Sequence, residues 1–400
     1  MPAAVMNDTP ASKKILPIII ISQFFCTSLW FAGNAVMGDI AKNFTDAGFL
    51  ANLTSAVQFG FISGTLIFAL FTIADRFSPS AVFFGCAIIA ALFNLGILIN
   101  NISPAALFSF RFFTGFFLAG IYPVGMKIAS DYYQKGLGRS LGFLVGALVL
   151  GTAFPHLLKS ITAALNWRYV IYSISALSVL GGALMFFAVP DGPYRKPGQK
   201  IQFTAFLNGF KNKNFRSAAA GYFGHMWELY TFWAFVPVML EANNNFQHND
   251  INVPLLSFCI IACGAIACAA SGILSQRFGA KKIATLALFL SGCCCLLSPL
   301  FLFSSSTIAL VCFLFIWGLV VIADSPLFST LVAQNVAEAS RGTSLTIVNC
   351  IGFSITIISI QTLKLLSRHI DPQWLYLVLA IGPALGLIAL LRNNNTDLNK

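Results

Sequence analysis

The chain has 400 residues, 58% of them hydrophobic and only 9% charged, with a mean hydropathy of +0.82. Soluble globular proteins carry about 25% charged residues, so a water-facing surface of this size is excluded, and with it a soluble enzyme or binding module. The net charge of +11 does not indicate nucleic acid as a partner, because it is spread through short loops and forms no basic helix with interleaved aromatics.

A membrane-spanning helix needs about 20 mostly apolar residues. Twelve stretches meet that condition: 15–38, 52–73, 80–100, 104–128, 139–158, 168–189, 218–240, 253–275, 281–303, 306–330, 343–365 and 373–391, numbered helices 1 to 12 in that order. Lys13 and Lys14 precede a first apolar run too long for a signal peptide, with no clear cleavage site, so that run is helix 1 itself. The longest polar gap follows helix 6 and holds Arg195, Lys196, Lys200, Lys211, Lys213 and Arg216. The expected fold is an all-α membrane protein of twelve transmembrane helices in two pseudo-symmetric six-helix bundles. The first bundle covers 1–190, a cytoplasmic linker 191–217 and the second bundle 218–400.

With the N-terminus in the cytoplasm, eighteen of the 24 Lys and Arg residues fall on the cytoplasmic side and five outside, with Arg111 inside a span. That excess fixes the orientation. It predicts a multi-pass protein of a plasma membrane, expected to be a bacterial inner membrane, with both termini cytoplasmic. All ten cysteines lie in apolar stretches, and Cys293-Cys294-Cys295 has neither a second pair nor a nearby histidine. The thiols read as small buried hydrophobes, not metal ligands. No phosphate loop of the form G-x-x-x-x-G-K-[ST] occurs, and no nucleophile-base pair suggests an enzyme. No cofactor or metal is expected.

Three short signals recur in order half a chain apart. Arg76-Phe77 returns as Arg277-Phe278, 201 residues on; Gly115 with Pro123 returns as Gly318 with Pro326, 203 on; Arg139 returns as Arg341, 202 on. The sequence is a six-helix unit written twice, and membrane transporters place their substrate site between such repeats.

The loop after helix 2 reads Ile73-Ala74-Asp75-Arg76-Phe77, with Phe71 and Ser78 flanking it, and the loop after helix 8 reads Gly272-Ile273-Leu274-Ser275-Gln276-Arg277-Phe278-Gly279. Helix 4 carries R-x-x-x-G from Arg111 to Gly115. With twelve spans and a basic central loop, these motifs resemble the major facilitator superfamily and its G-x-L-x-D-R-x-G loop. Gly224 to Tyr230 in helix 7 also looks like the branch containing nitrate and nitrite porters. That branch's Gly/Asn-rich signatures in helices 5 and 11 and its paired arginines in helices 2 and 8 are missing here. The resemblance implies that helices 1, 4, 7 and 10 line a central cavity, and that the helix 4 arginine is tied to proton coupling.

Ionisable groups at mid-membrane are costly and mark function by default. They are Arg111 in helix 4, His225 and Glu228 in helix 7, and Asp324 in helix 10; Asn34 is the polar group of helix 1. Glu228, near the midplane, reads as the carboxylate that loads and releases a proton or binds solute. His225, three residues earlier on the same face, shares or modulates that proton, or merely bonds to a neighbouring helix. Arg111 keeps its charge and needs an anionic partner, either Glu228 across the seam or an anionic solute. Asp324 sits just before Pro326, at an expected kink. Trp30, Tyr122, Trp227, Tyr230 and Trp233 are candidates for the cavity wall. Asp75, Arg76, Asp131, Arg139, Arg277 and Arg341 are expected to lock and release the cytoplasmic ends as a gate.

The expected activity is secondary active transport of a small polar or anionic solute by alternating access, coupled to protons. The partners are that solute, protons and the lipid bilayer, and the unit is a monomer. An exporter of drugs or metabolites is the alternative, since Gly142, Gly146, Gly151 and Pro155 of helix 5 faintly resemble an antiporter motif. A transporter-derived sensor or a structural membrane protein, the alternative from another class, is disfavoured by the short tail from Arg392 to Lys400.

Overall fold

Backbone N–H and C=O groups inside a bilayer must be satisfied within the protein, and a helix does this within one segment. The computed structural model describes residues 10–40, 48–133, 137–195, 207, 209–248, 250–304, 306–337 and 340–392. Among these, the apolar runs form twelve helical units. Helix 1 is Pro10–Thr27, continued after a break by Ala32–Ala35 and Met37–Ile40. Helix 2 is Phe49–Leu70, helix 3 Pro79–Leu95, helix 5 Leu137–Ile161 and helix 6 Arg168–Ala188. Helix 4 is split into Pro104–Leu118 and Tyr122–Tyr132. In the second half, helix 7 is Lys213–Gln247, helix 8 Val253–Phe278, helix 9 Ala280–Leu302 and helix 11 Arg341–Leu366. Helix 10 is split into Thr307–Ala323 and Ser325–Gln334, and helix 12 runs from a 3-10 turn at Leu375–Ala380 into Ile381–Arg392. The linker expected at 191–217 lies mostly outside the described residues.

Ten of these units are long and apolar enough to cross a membrane. Helices 1 and 7 fall short of that test, for different reasons. Helix 1 is interrupted after Thr27, which divides its apolar sequence between separate segments. Helix 7 is long, 35 residues where 218–240 was expected, but too polar. At ~1.5 Å per residue it extends about 52 Å, well beyond the ~30 Å hydrocarbon core. Its Ser217, Tyr222, His225, Glu228 and Thr231 are all buried. A helix enclosed by other helices needs partners for its polar groups, not lipid-like hydropathy.

The duplication is visible as geometry. Helix 4 breaks just before Tyr122-Pro123 and helix 10 just before Ser325-Pro326, the proline opening the next segment both times, where its missing N–H does no harm. A Cβ on Gly115 would lie 1.9 Å from the Val57 carbonyl oxygen, and one on Gly318 would lie 2.3 Å from that of Ile260. The glycines thus let helix 4 press onto helix 2, and helix 10 onto helix 8, backbone to backbone.

We call outer the ends that the charge distribution assigns to the outside. There the halves are joined by neutral and singly charged hydrogen bonds. Gln361 donates to Ser55 (2.9 Å), Lys364 to Asn52 (3.0 Å) and Asn252 to Ser160 (2.9 Å).

Candidate functional site

The break in helix 1 begins with its own side chains. The Thr27 hydroxyl donates back to the Gln23 carbonyl (2.8 Å) and the Ser28 hydroxyl to that of Phe25 (2.6 Å). Such bonds compete with the helical ladder and bend it. Beyond them the chain turns through residues 28–31, which frees main-chain carbonyls. Arg111 from helix 4 collects them. Its Nη2 donates to the carbonyls of Leu29 (3.1 Å) and Trp30 (2.5 Å), and its Nη1 to Asn94 Oδ1 of helix 3 (3.2 Å). The side chain is wholly buried. Among the described residues no carboxylate lies within ion-pair distance of it. The cation is held by main-chain dipoles and an amide, and the pairing with Glu228 across the seam is absent from this structure.

Glu228 faces into the second half. Its Oε2 accepts from the Ser291 hydroxyl of helix 9 (2.9 Å) and its Oε1 from the Trp317 indole of helix 10 (2.6 Å). One turn earlier on helix 7, His225 Nδ1 lies 2.7 Å from Asp324 Oδ1, where helix 10 breaks. Both side chains are buried. The separation is that of an ion pair, but the approach is out of line for a hydrogen bond, so both Asp324 oxygens and both His225 nitrogens lack an aligned partner. The three titratable groups of the second half therefore form two unlike sites: a carboxyl fully engaged by neutral donors, and a carboxyl–imidazole couple with unmet bonding capacity.

The predicted cavity aromatics separate into two groups. Trp30, wholly buried at the helix 1 break, stacks on Tyr230 (5.7 Å between ring centroids) and Phe353 (5.5 Å), and also packs on Phe61 (4.7 Å). Tyr230 also meets Trp233 edge-on. These rings close the seam between helices 1 and 2 on one side and helices 7 and 11 on the other. Trp227 points elsewhere: its indole donates to the Val378 carbonyl (3.0 Å) in helix 12, so it packs within the second half. Tyr122 opens the second segment of helix 4 and is half-buried.

The charged loop residues form a network inside the first half. Lys127 bridges Asp75 (3.1 Å) and Asp131 (3.1 Å). Arg195 pairs with Asp191 and donates to the carbonyls of Asp75 (3.0 Å) and Phe77 (2.7 Å). Arg76 is exposed, Arg277 lies over the Phe278 ring, and Arg341 donates to the Ala333 carbonyl of its own half (3.0 Å). The Arg139 side chain lies outside the described residues. Among the described residues, every ion pair made by these gating candidates stays within one half.

Sequence reasoning missed Asn94, Ser291 and Trp317, the groups that hold Arg111 and Glu228. It also passed over Gln58 and Thr65 of helix 2, both buried with unpartnered polar atoms. An amide inside an otherwise apolar span, as at 58 and 94, was the available signal.

The fold and these sites can be set beside known proteins. A search of curated proteins returns no match. Among solved structures, the chain is similar to the proton:xylose symporter XylE, determined with bound 6-bromo-6-deoxy-D-glucose, at a TM-score of 0.74 and 12% identity over 96% of this chain and 95% of that one. The family model of the Major Facilitator Superfamily matches residues 19–360, from the first turns of helix 1 to late helix 11. The chain belongs to the major facilitator superfamily and is a multi-pass membrane transporter, not an enzyme.

Proposed function

We propose that the protein couples the movement of a small polar solute to protons, its two halves, 1–190 and 218–400, rocking about the seam as a monomer in a plasma membrane with both termini cytoplasmic. The observation that carries this is the buried His225–Asp324 couple at the break of helix 10, one turn from Glu228 on helix 7. Buried charge in a membrane helix is retained where it works, and a carboxyl–imidazole pair can take up a proton without leaving a net charge stranded. The stretch Gly224 to Tyr230, whose sequence resembles that of the nitrate and nitrite porters, contributes His225 and Glu228 to this proton site. The loop charges around Asp75 and Lys127 serve as the inner gate, exchanging partners when the halves move.

The test begins with a thermal-shift screen of solutes at two pH values. A solute found there is added to de-energised cells in weakly buffered medium. Proton-coupled entry makes the medium transiently alkaline. Asp324→Asn is expected to abolish that signal while leaving exchange of labelled solute across the membrane. Alkalinisation of wild-type size in Asp324→Asn and also in His225→Ala refutes the assignment.

A further inference from the structure

Six of the eleven buried side-chain atoms without a hydrogen-bond partner among the described residues of the first half sit on the broken part of helix 1, the facing side of helix 2 and Arg111. Trp30 Nε1, Asn34 Oδ1, both polar atoms of the Gln58 amide, Thr65 Oγ1 and Arg111 Nε are buried without partners. Thr54, Gln58, Phe61 and Thr65 recur at spacings of four, three and four, so they share one face of helix 2. That face meets the broken part of helix 1 twice: Asn34 donates to Thr54 (2.8 Å) and Trp30 packs on Phe61 (4.7 Å). Gln58 lies between these two contacts. Across the seam stand the rings of Tyr230 and Phe353, stacked on Trp30. Buried polar groups are nearly always bonded in folded proteins, and each exception needs a reason. Six such atoms on the helix 1 break, the facing side of helix 2 and Arg111, with aromatic rings beside them, call for polar partners from outside the fold.

The electrostatics narrow what fits. The cation nearby among the described residues is Arg111, and both terminal nitrogens of its fork are already bonded to Leu29, Trp30 and Asn94. No edge remains for a two-point grip on a carboxylate. Among the described residues no carboxylate is bonded to these groups either, so a cation finds no counter-charge there. Gln58 and Asn34 offer donors and acceptors together, and the rings offer flat apolar faces.

We infer that the helix 1 break and the Thr54–Thr65 face of helix 2 form the solute site, and that it takes an uncharged ring-shaped solute, its flat face against Trp30, Tyr230 and Phe353 and its polar edge on Gln58, Asn34 and Thr65. This rests on the transporter reading above and divides its labour: the first half recognises solute and the second carries the proton.

The test uses matched pairs that differ by a carboxylate: glucose with glucuronate, and uracil with orotate. Purified protein is melted with each at saturating concentration and one fixed pH. One neutral member is expected to raise the melting temperature by about 2–5 °C, its acid counterpart to leave it unchanged, and the responding pair to distinguish a sugar-like from a base-like cargo. Gln58→Leu removes the amide at nearly equal volume. It is expected to erase the ligand shift while raising the ligand-free melting temperature by about 1–3 °C, because an unmet buried amide is gone. Thr65→Val reports the same for the hydroxyl. Stabilisation only by the acids, by none of the four, or equally in Gln58→Leu overturns the proposal; the last two outcomes leave the cluster as a store of internal water. Binding at one pH is blind to coupling, so failure here and failure of the proton test are separate results.

Discussion

Replacing Arg111 decides whether it holds helix 1 or acts on cargo. In Arg111→Gln, three acceptors lose a charged donor: the carbonyls of Leu29 and Trp30, and Asn94 Oδ1. Bonds to a charged group contribute about 1.5–3 kcal/mol each, so the gross loss is roughly 4.5–9 kcal/mol. Against it stands the desolvation of a buried guanidinium, several kcal/mol, which the substitution recovers. A net loss of about 2–4 kcal/mol follows, with a fall in melting temperature of about 3–6 °C. Arg111→Lys keeps the charge but has one nitrogen and no planar fork, so it cannot reproduce all three bonds and should fall about half as far. The assay is thermal unfolding of detergent-solubilised protein followed by tryptophan fluorescence, alongside solute exchange in proteoliposomes. A Gln variant with wild-type melting and no transport would show that Arg111 acts on solute or proton. A Lys variant equal to wild type in both measurements would show that charge alone matters. Either result refutes the role assigned here.

Two further outcomes follow from the packing. Gly115→Ala and Gly318→Ala each drive a methyl group into a backbone carbonyl of the neighbouring helix, so each should lose about 1–3 kcal/mol through overpacking; Gly142→Ala, whose added Cβ meets nothing within 4 Å, should be neutral or slightly stabilising on the same thermal assay, and equal behaviour of the three would remove the close-approach argument. Cysteines at Asn52 and Lys364, in a background without other reactive thiols, should be joined by a short bifunctional thiol reagent and then arrest solute exchange, with activity restored when a reducible reagent is cleaved; full exchange in the cross-linked protein would mean that the outer ends need not part.

Much of the architecture was legible because it rests on local signals. The apolar runs mark the helices, and Pro123 and Pro326 mark matching breaks in helices 4 and 10, because a proline acts on its own backbone. The break in helix 1 was not legible. No proline or glycine forces it at 28–31; Thr27 and Ser28 loosen it, and Arg111, more than eighty residues away, receives the carbonyls. The full length of helix 7 was hidden for a related reason. Its polarity looks like a boundary until the helices that bury it are known. At the site, the four buried ionisable groups could be named from their cost in lipid, but their partners could not. Glu228 turns from the seam because Ser291 and Trp317 offer donors on the other side, and those residues carry no charge to draw attention. Trp227 and Tyr230, three residues apart, go to helix 12 and to the seam respectively, a division set by which face of helix 7 meets which neighbour.

The low hydropathy of helix 7 has a consequence for how the protein is made. Insertion into a bilayer depends on the apolar content of each segment as it leaves the translocon. Helix 7, the first helix of the second half, is long enough to span but fails on apolarity. The second half therefore opens with the segment least able to enter lipid alone. Helix 7 must wait beside the translocon until helices that will enclose Glu228 and His225 have been synthesised, helices 9 and 10 among them. Biogenesis of the second half is thus a cooperative step, and a chain that stops after helix 8 should leave helix 7 outside the membrane.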